Sequence, residues 1–96
     1  MHHTAVPFHL IHVGDVIDRP VRSGSDSFEV VTQVGEEKAG DEMNQLIVSV
    51  SEDGECHRLE WRPCPDTPAS MLDRVGEGCM PTPKGLQDFL TRHHLP

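Results

Sequence analysis
The dipeptide Asp53-Gly54 separates two stretches, Gln45–Glu52 and Glu55–Arg62, that both read as strands. Asp-Gly between strands is the favoured chemistry of a two-residue type I′ hairpin turn, whose central residues both need positive φ. A two-residue turn fixes the register. It sets Glu52 opposite Glu55, Ser51 opposite Cys56, Val50 opposite His57, Ser49 opposite Arg58, Val48 opposite Leu59, Ile47 opposite Glu60 and Leu46 opposite Trp61. Leu46, Val48, Val50, Leu59 and Trp61 are then expected on one face, with His57 at its edge. Ser49, Ser51, Arg58 and Glu60 are expected on the other.

An isolated hairpin is marginal in water, so further strands are required. Phe8–Val13 reads as a strand followed by a Gly14-Asp15 turn, and Val16–Arg22 as an extended segment. Pro20 withdraws a backbone donor, which suits an edge strand or a bulge. Ser23–Ser27 has loop composition. Phe28–Val34 is rich in β-branched and aromatic residues and is closed by Gly35. Glu36–Glu42 reads as an acidic loop.

After Arg62 the pattern changes, with Pro63, Pro65, Pro68, Pro81 and Pro83 in a short span. Thr67-Pro68 and Thr82-Pro83 each pair a capping residue with a proline suited to the first helical position. Two short helices are predicted, Pro68–Val75 with Gly76 as C-cap, and Pro83 to about His93. In the second, Leu86, Phe89, Leu90 and His93 form one stripe.

These elements predict a single α+β domain of 96 residues. Residues 8–62 supply a small twisted antiparallel sheet of four to five strands, curled or partly closed. Residues 63–96 supply a Pro-rich segment and the two helices that cover it. The predicted core is Leu10, Val13, Ile17, Phe28, Val30, Leu46, Val48, Val50, Leu59, Trp61, Leu72, Leu86, Phe89 and Leu90. The run Val13-Gly14-Asp15-Val16-Ile17, followed by three more strands, resembles the opening of SH3-like barrel modules. The resemblance spans at most Phe8–Arg62 and implies only a fold analogy.

Charge narrows the function. Asp plus Glu number 16 against 8 Lys plus Arg, a formal net charge of −8, so direct binding to nucleic-acid phosphates is not expected. No apolar run is long enough to span a membrane, and Met1-His2-His3-Thr4 has no signal-peptide character, so a cytoplasmic protein is expected. Cys56, Cys64 and Cys79 make an odd count and read as reduced thiols.

The seven histidines raise a metal hypothesis. Paired ligand spacing is missing, however, and His9 and His12 would point to opposite faces of a strand. A zinc site from Cys64, Cys79 and His93, completed by Cys56, His57 or His94, is the alternative this donor set allows. A free Met1-His2-His3 terminus can also enclose Cu(II) or Ni(II) in a square plane. No cofactor is expected. No nucleophile elbow, P-loop, dinucleotide fingerprint or H-E-x-x-H is present.

The acidic clusters are the candidate partner-binding residues. Glu36, Glu37, Asp41 and Glu42, less Lys38, give −3, and Glu52, Asp53 and Glu55 give −3. The intervening strand is expected to hold the two clusters roughly 25 Å apart as separate poles. The expected function is a small non-catalytic protein-interaction module or regulator with a protein partner, of basic character on the strength of the clusters. The alternative is an inhibitor of a nucleic-acid-handling machine that uses its acidic loops as phosphate mimics. A second alternative is a small zinc-binding or thiol-dependent protein. A sheet edge near Pro20 also allows a homodimer.

Overall fold
A computed structural model describes residues 3–20, 26–63 and 70–94. In chain order these hold β1 (Thr4–Pro7), a short 3-10 turn (Phe8–Leu10), β2 (Val16–Pro20), β3 (Asp26–Ala39), β4 (Glu42–Ser51), β5 (Cys56–Trp61), β6 (Met71–Gly76) and α1 (Pro83–Arg92). The strands form one antiparallel sheet of six in the order β1-β6-β2-β3-β4-β5. The architecture is α+β, as expected. The sheet has six strands rather than four or five, and it is not closed into a barrel.

The predicted helix over Pro68–Val75 is a correction. Met71–Gly76 is β6, inserted between β1 and β2, and the residues around Thr67-Pro68 lie outside the described ones. Among the described residues α1 is the one α-helix. The 63–96 segment therefore completes the sheet as well as covering it. The predicted strand Phe8–Val13 is also replaced. Pairing ends at Pro7, and a 3-10 turn and an extended link follow. Pro20 is not on an edge strand. β2 is interior, but β6 pairs with it only over Val16–Asp18, so Pro20 lies past the last β6 pair.

The Asp53-Gly54 hairpin exists with a different turn. Gly54 N–H donates to Ser51 O at 3.0 Å and Ser51 N–H to Glu55 O at 2.9 Å. Gly54 has φ +86°, and Asp53 is not among the positive-φ residues. This is a three-residue loop, a type I turn followed by a left-handed glycine. The register moves by one, pairing Val50 with Cys56, Ser49 with His57, Ile47 with Leu59 and Gln45 with Trp61. Leu59 and Trp61 therefore share a face with Ile47 and Ser49, not with Leu46, Val48 and Val50.

Gly35 does not end β3, and Glu36–Glu42 is not a loop. The strand continues to Ala39 and returns through Gly40-Asp41 into β4, making a long ribbon. Cross-strand chemistry supports it, since Gln45 donates to Glu36 and Arg62 pairs with Glu42.

Each sheet face carries its own core. One face holds Val16, Phe28, Val30, Val50 and Val75 against Cys79, Leu86, Phe89 and Leu90. Here α1 begins as predicted. The Thr82 hydroxyl accepts from Gly85 N–H at 3.0 Å, and Pro83 follows it. Gly76, expected as a helix cap, ends β6 beneath Phe89. A Cβ there would fall 2.2 Å from the ring, so the missing side chain lets the helix approach the sheet.

The other face packs Ile17, Val31 and Ile47 under Val6, Phe8 and Ile11, with Leu59, Trp61 and Leu72 at its margin. Phe8 follows one edge strand and Trp61 ends the other. Across a flat six-stranded sheet those edges would be roughly 24 Å apart. Their ring centroids are 6.0 Å apart, so the sheet curls toward this concave face. Of the predicted core, Leu10 and Val13 are each 48% exposed, because the link after β1 turns them outward. Leu46, Val48, Leu59, Trp61 and Leu72 are only half-buried. Val31 and Ile47, absent from the expected core, are at its centre.

Candidate functional site
The concave face has three zones. The apolar cluster occupies the middle, a buried ionic network one end and an open groove the other.

The network centres on Glu29, whose side chain is 1% exposed. Its Oε1 accepts from Ser49 Oγ at 2.6 Å and lies 3.0 Å from His57 Nδ1. Its Oε2 lies 3.1 Å from Arg19 Nη1. His57 Nε2 lies 3.3 Å from Glu55 Oε1. The imidazole sits between two carboxylates, with one at each ring nitrogen. Glu29 thus ties β3 to β2, β4 and β5. A buried carboxylate is tolerated when it is paired and its lone pairs are used. Ser49 is fully buried and its hydroxyl donates to Glu29, so this trio presents no nucleophile to a substrate. Sequence reasoning missed the network. Its signal was a lone charge inside the apolar run Phe28-Glu29-Val30-Val31.

The groove lies beyond Ile47. Trp61, Gln45 and Glu36 are consecutive partners across β5, β4 and β3, so they stand in one row on the concave face. Gln45 Nε2 donates to Glu36 Oε1 at 3.2 Å. The rings of His9 and Trp61 are 6.3 Å apart at an interplanar angle of 25°. With Pro63 these residues line a hollow of about 450 Å³. A neighbouring hollow continues along Ile11, His12, Val34 and Gly35.

The acidic candidates fall at the two ends of β4. Glu36, Glu37, Asp41 and Glu42 lie on the β3–β4 ribbon, and Glu52, Asp53 and Glu55 on the β4–β5 turn. The structure does not bring the two clusters together. Several of these charges have internal partners. Glu37 pairs with Arg58, Glu42 with Arg62 at 3.0 Å, and Glu55 with His57. The hydrogen bonds that Arg58 donates to Glu37 and Glu60 push its pKa up. Among the described residues, Asp41, Glu52 and Asp53 make no ion pair.

The predicted zinc ligands are only partly gathered. Cys79 and His93 line one hollow beside α1 with Asp88 and Arg92, and Cys64 lies outside the described residues. Cys56 is exposed and Cys79 buried, and burial pushes the Cys79 thiol pKa up. His9 and His12 are not on a strand. A donor set the sequence did not reveal joins His3, Asp18 and Asp73 within 4.8 Å. Asp18 and Asp73 are direct partners across β2 and β6, and His3 Nδ1 lies 2.5 Å from Asp73 and 3.7 Å from Asp18. Two carboxylates and an imidazole nitrogen at these distances suit a divalent cation. Met1 and His2 of the candidate terminal copper site lie outside the described residues.

No helix among the described residues is long and apolar enough to cross a membrane. No protein-family model matches the chain, and no curated protein or solved structure matches it either.

Proposed function
We propose that this protein is a small, non-catalytic interaction module that receives an extended segment of a partner protein along the outer edge of β3. One observation carries the reading. β3 is 14 residues long, yet β2 pairs with it only as far as Val30, and the Gly14-Asp15 link satisfies Val31. From Gln33 to Ala39 the edge away from β4 has no backbone partner among the described residues. An unpaired edge is a template for strand addition, where main-chain bonds supply affinity and alternate side chains supply specificity. Here the alternate side chains of an added strand face the groove. Four acidic residues against one lysine over Glu36–Glu42 favour a basic segment. The two acidic clusters are separate poles, which weighs against a single phosphate-like patch.

The test is selection of binders from a displayed random peptide library, followed by amide hydrogen exchange of the complex. Selected peptides should be extended, rich in basic residues, and should slow exchange within Gln33–Ala39. Of Gly35→Pro and Glu36→Pro, the variant whose lost N–H points away from β4 should keep the fold and lose the peptide. Failure to select any binder, helical binders, or protection confined to another edge overturns the proposal.

A further inference from the structure
We infer that the groove end formed by Trp61, His9, Glu36 and Gln45 is a subsite for an arginine side chain. The inference rests on the strand-addition reading and names what the added strand brings to the concave face. Three features converge there. Trp61 and His9 present aromatic rings to one hollow, and Trp61 is only half-buried. Glu36 sets a carboxylate on the same floor, two strands from Trp61. Gln45 spends an amide N–H on Glu36 Oε1, which fixes that carboxylate and leaves the Gln45 carbonyl oxygen to accept.

A ring face is electrostatically negative and attracts a cation, and a guanidinium does so with a planar, weakly hydrated group. The same guanidinium fork can donate to a carboxylate and to an amide oxygen at once. Lysine offers a compact, strongly hydrated charge that cannot stack, so it fits the row less well. Glu36 borders the open edge of β3. A residue of an added strand facing Glu36 has its Cβ ~5 Å away, within side-chain reach of the hollow.

Trp61 is the only tryptophan in the chain, so intrinsic fluorescence reports on this subsite. The full chain is titrated with N-acetyl-arginine amide, N-acetyl-lysine amide and the isosteric neutral N-acetyl-citrulline amide. The arginine probe should give a saturable change, the lysine probe a weaker one, and the citrulline probe none. Glu36→Gln should weaken the arginine probe about fivefold while leaving the melting curve unchanged. An equal response to citrulline, a stronger response to lysine, or no effect of Glu36→Gln overturns the subsite. The two readings fail separately. If selected peptides protect Gln33–Ala39 but the arginine probe gives no change, the subsite is wrong and the module stands. If the probe binds but no peptide protects that edge, the cation site remains without strand addition.

Discussion

The two faces of the sheet are held by different chemistry. The helix-covered face is mainly apolar, with Val16, Val30 and Leu86 fully buried, and it carries the Asp18–Asp73–His3 cluster beside Phe28. The concave face surrounds a smaller apolar cluster with the Glu29 network at one end and an open groove at the other. An apolar layer stabilises by area and tolerates some sliding. A buried carboxylate with donors on three other strands tolerates little, because a one-residue slip sends Glu29 to the opposite face. The helix face should therefore carry most of the stability and the concave face most of the register. The groove is the part of the concave face left free for binding.

The largest expected effect is on the helix face. Leu86→Ala removes a fully buried side chain and should cost about 4 kcal/mol, read as a shift in the urea unfolding midpoint. Glu29→Ala is the matching change on the concave face and should cost about 3 kcal/mol. Arg19 and Ser49 lose their acceptor and His57 keeps only Glu55, but Arg19 and His57 stay about a third exposed and regain some hydration. A loss under about 1 kcal/mol would mean that the network is dispensable and the apolar cluster alone sets the concave face. Gly76→Ala probes the join between helix and sheet. Its new Cβ meets the Phe89 ring, and the repacking should cost about 2 kcal/mol by the same assay.

Local chemistry was readable from the sequence where one turn of chain decides it, and unreadable where distant strands decide. Thr82-Pro83 starts a helix because the cap and the proline act within four residues. Thr67-Pro68 offers the same pair, yet Met71–Gly76 joins the sheet. Val6↔Leu72 on one side and Ile17↔Arg74 on the other outweigh local helix preference. The Asp53-Gly54 hairpin was legible but its register was not, since Asp-Gly serves both turn types. Alternation could not arbitrate because both faces of β4 are covered, with Val50 in one core and Ile47 in the other. The acidic ribbon read as a loop because Glu and Lys are poor strand formers, while its partners Gln45, Arg58 and Arg62 lie further along the chain. Glu29 was hidden for the same reason. Its donors are 10, 20 and 28 residues away. The Trp61–Gln45–Glu36 row became visible only with the corrected register.

The smallest expected effect compares two thiols on the helix side of the sheet, one beneath α1 and one outside its cover. Cys79 is buried against α1, and Cys56 is exposed at the start of β5. Burial raises the Cys79 pKa above the ordinary thiol value of 9.0, because the thiolate is poorly solvated there. The folded protein then holds this proton more tightly than the unfolded chain. The resulting stability is fully present below the ordinary thiol pKa and is lost as pH rises through the folded value. Wild type should therefore lose stability between about pH 8 and about pH 10 more steeply than Cys79→Ala does, measured by urea unfolding at each pH. Iodoacetamide at neutral pH should label Cys56 well before Cys79, as peptide mass mapping of the folded protein would record. Equal labelling rates, or identical pH slopes for the two proteins, would show that the helix does not seal this face. The contrast between a closed face and an open one would then have to be drawn elsewhere.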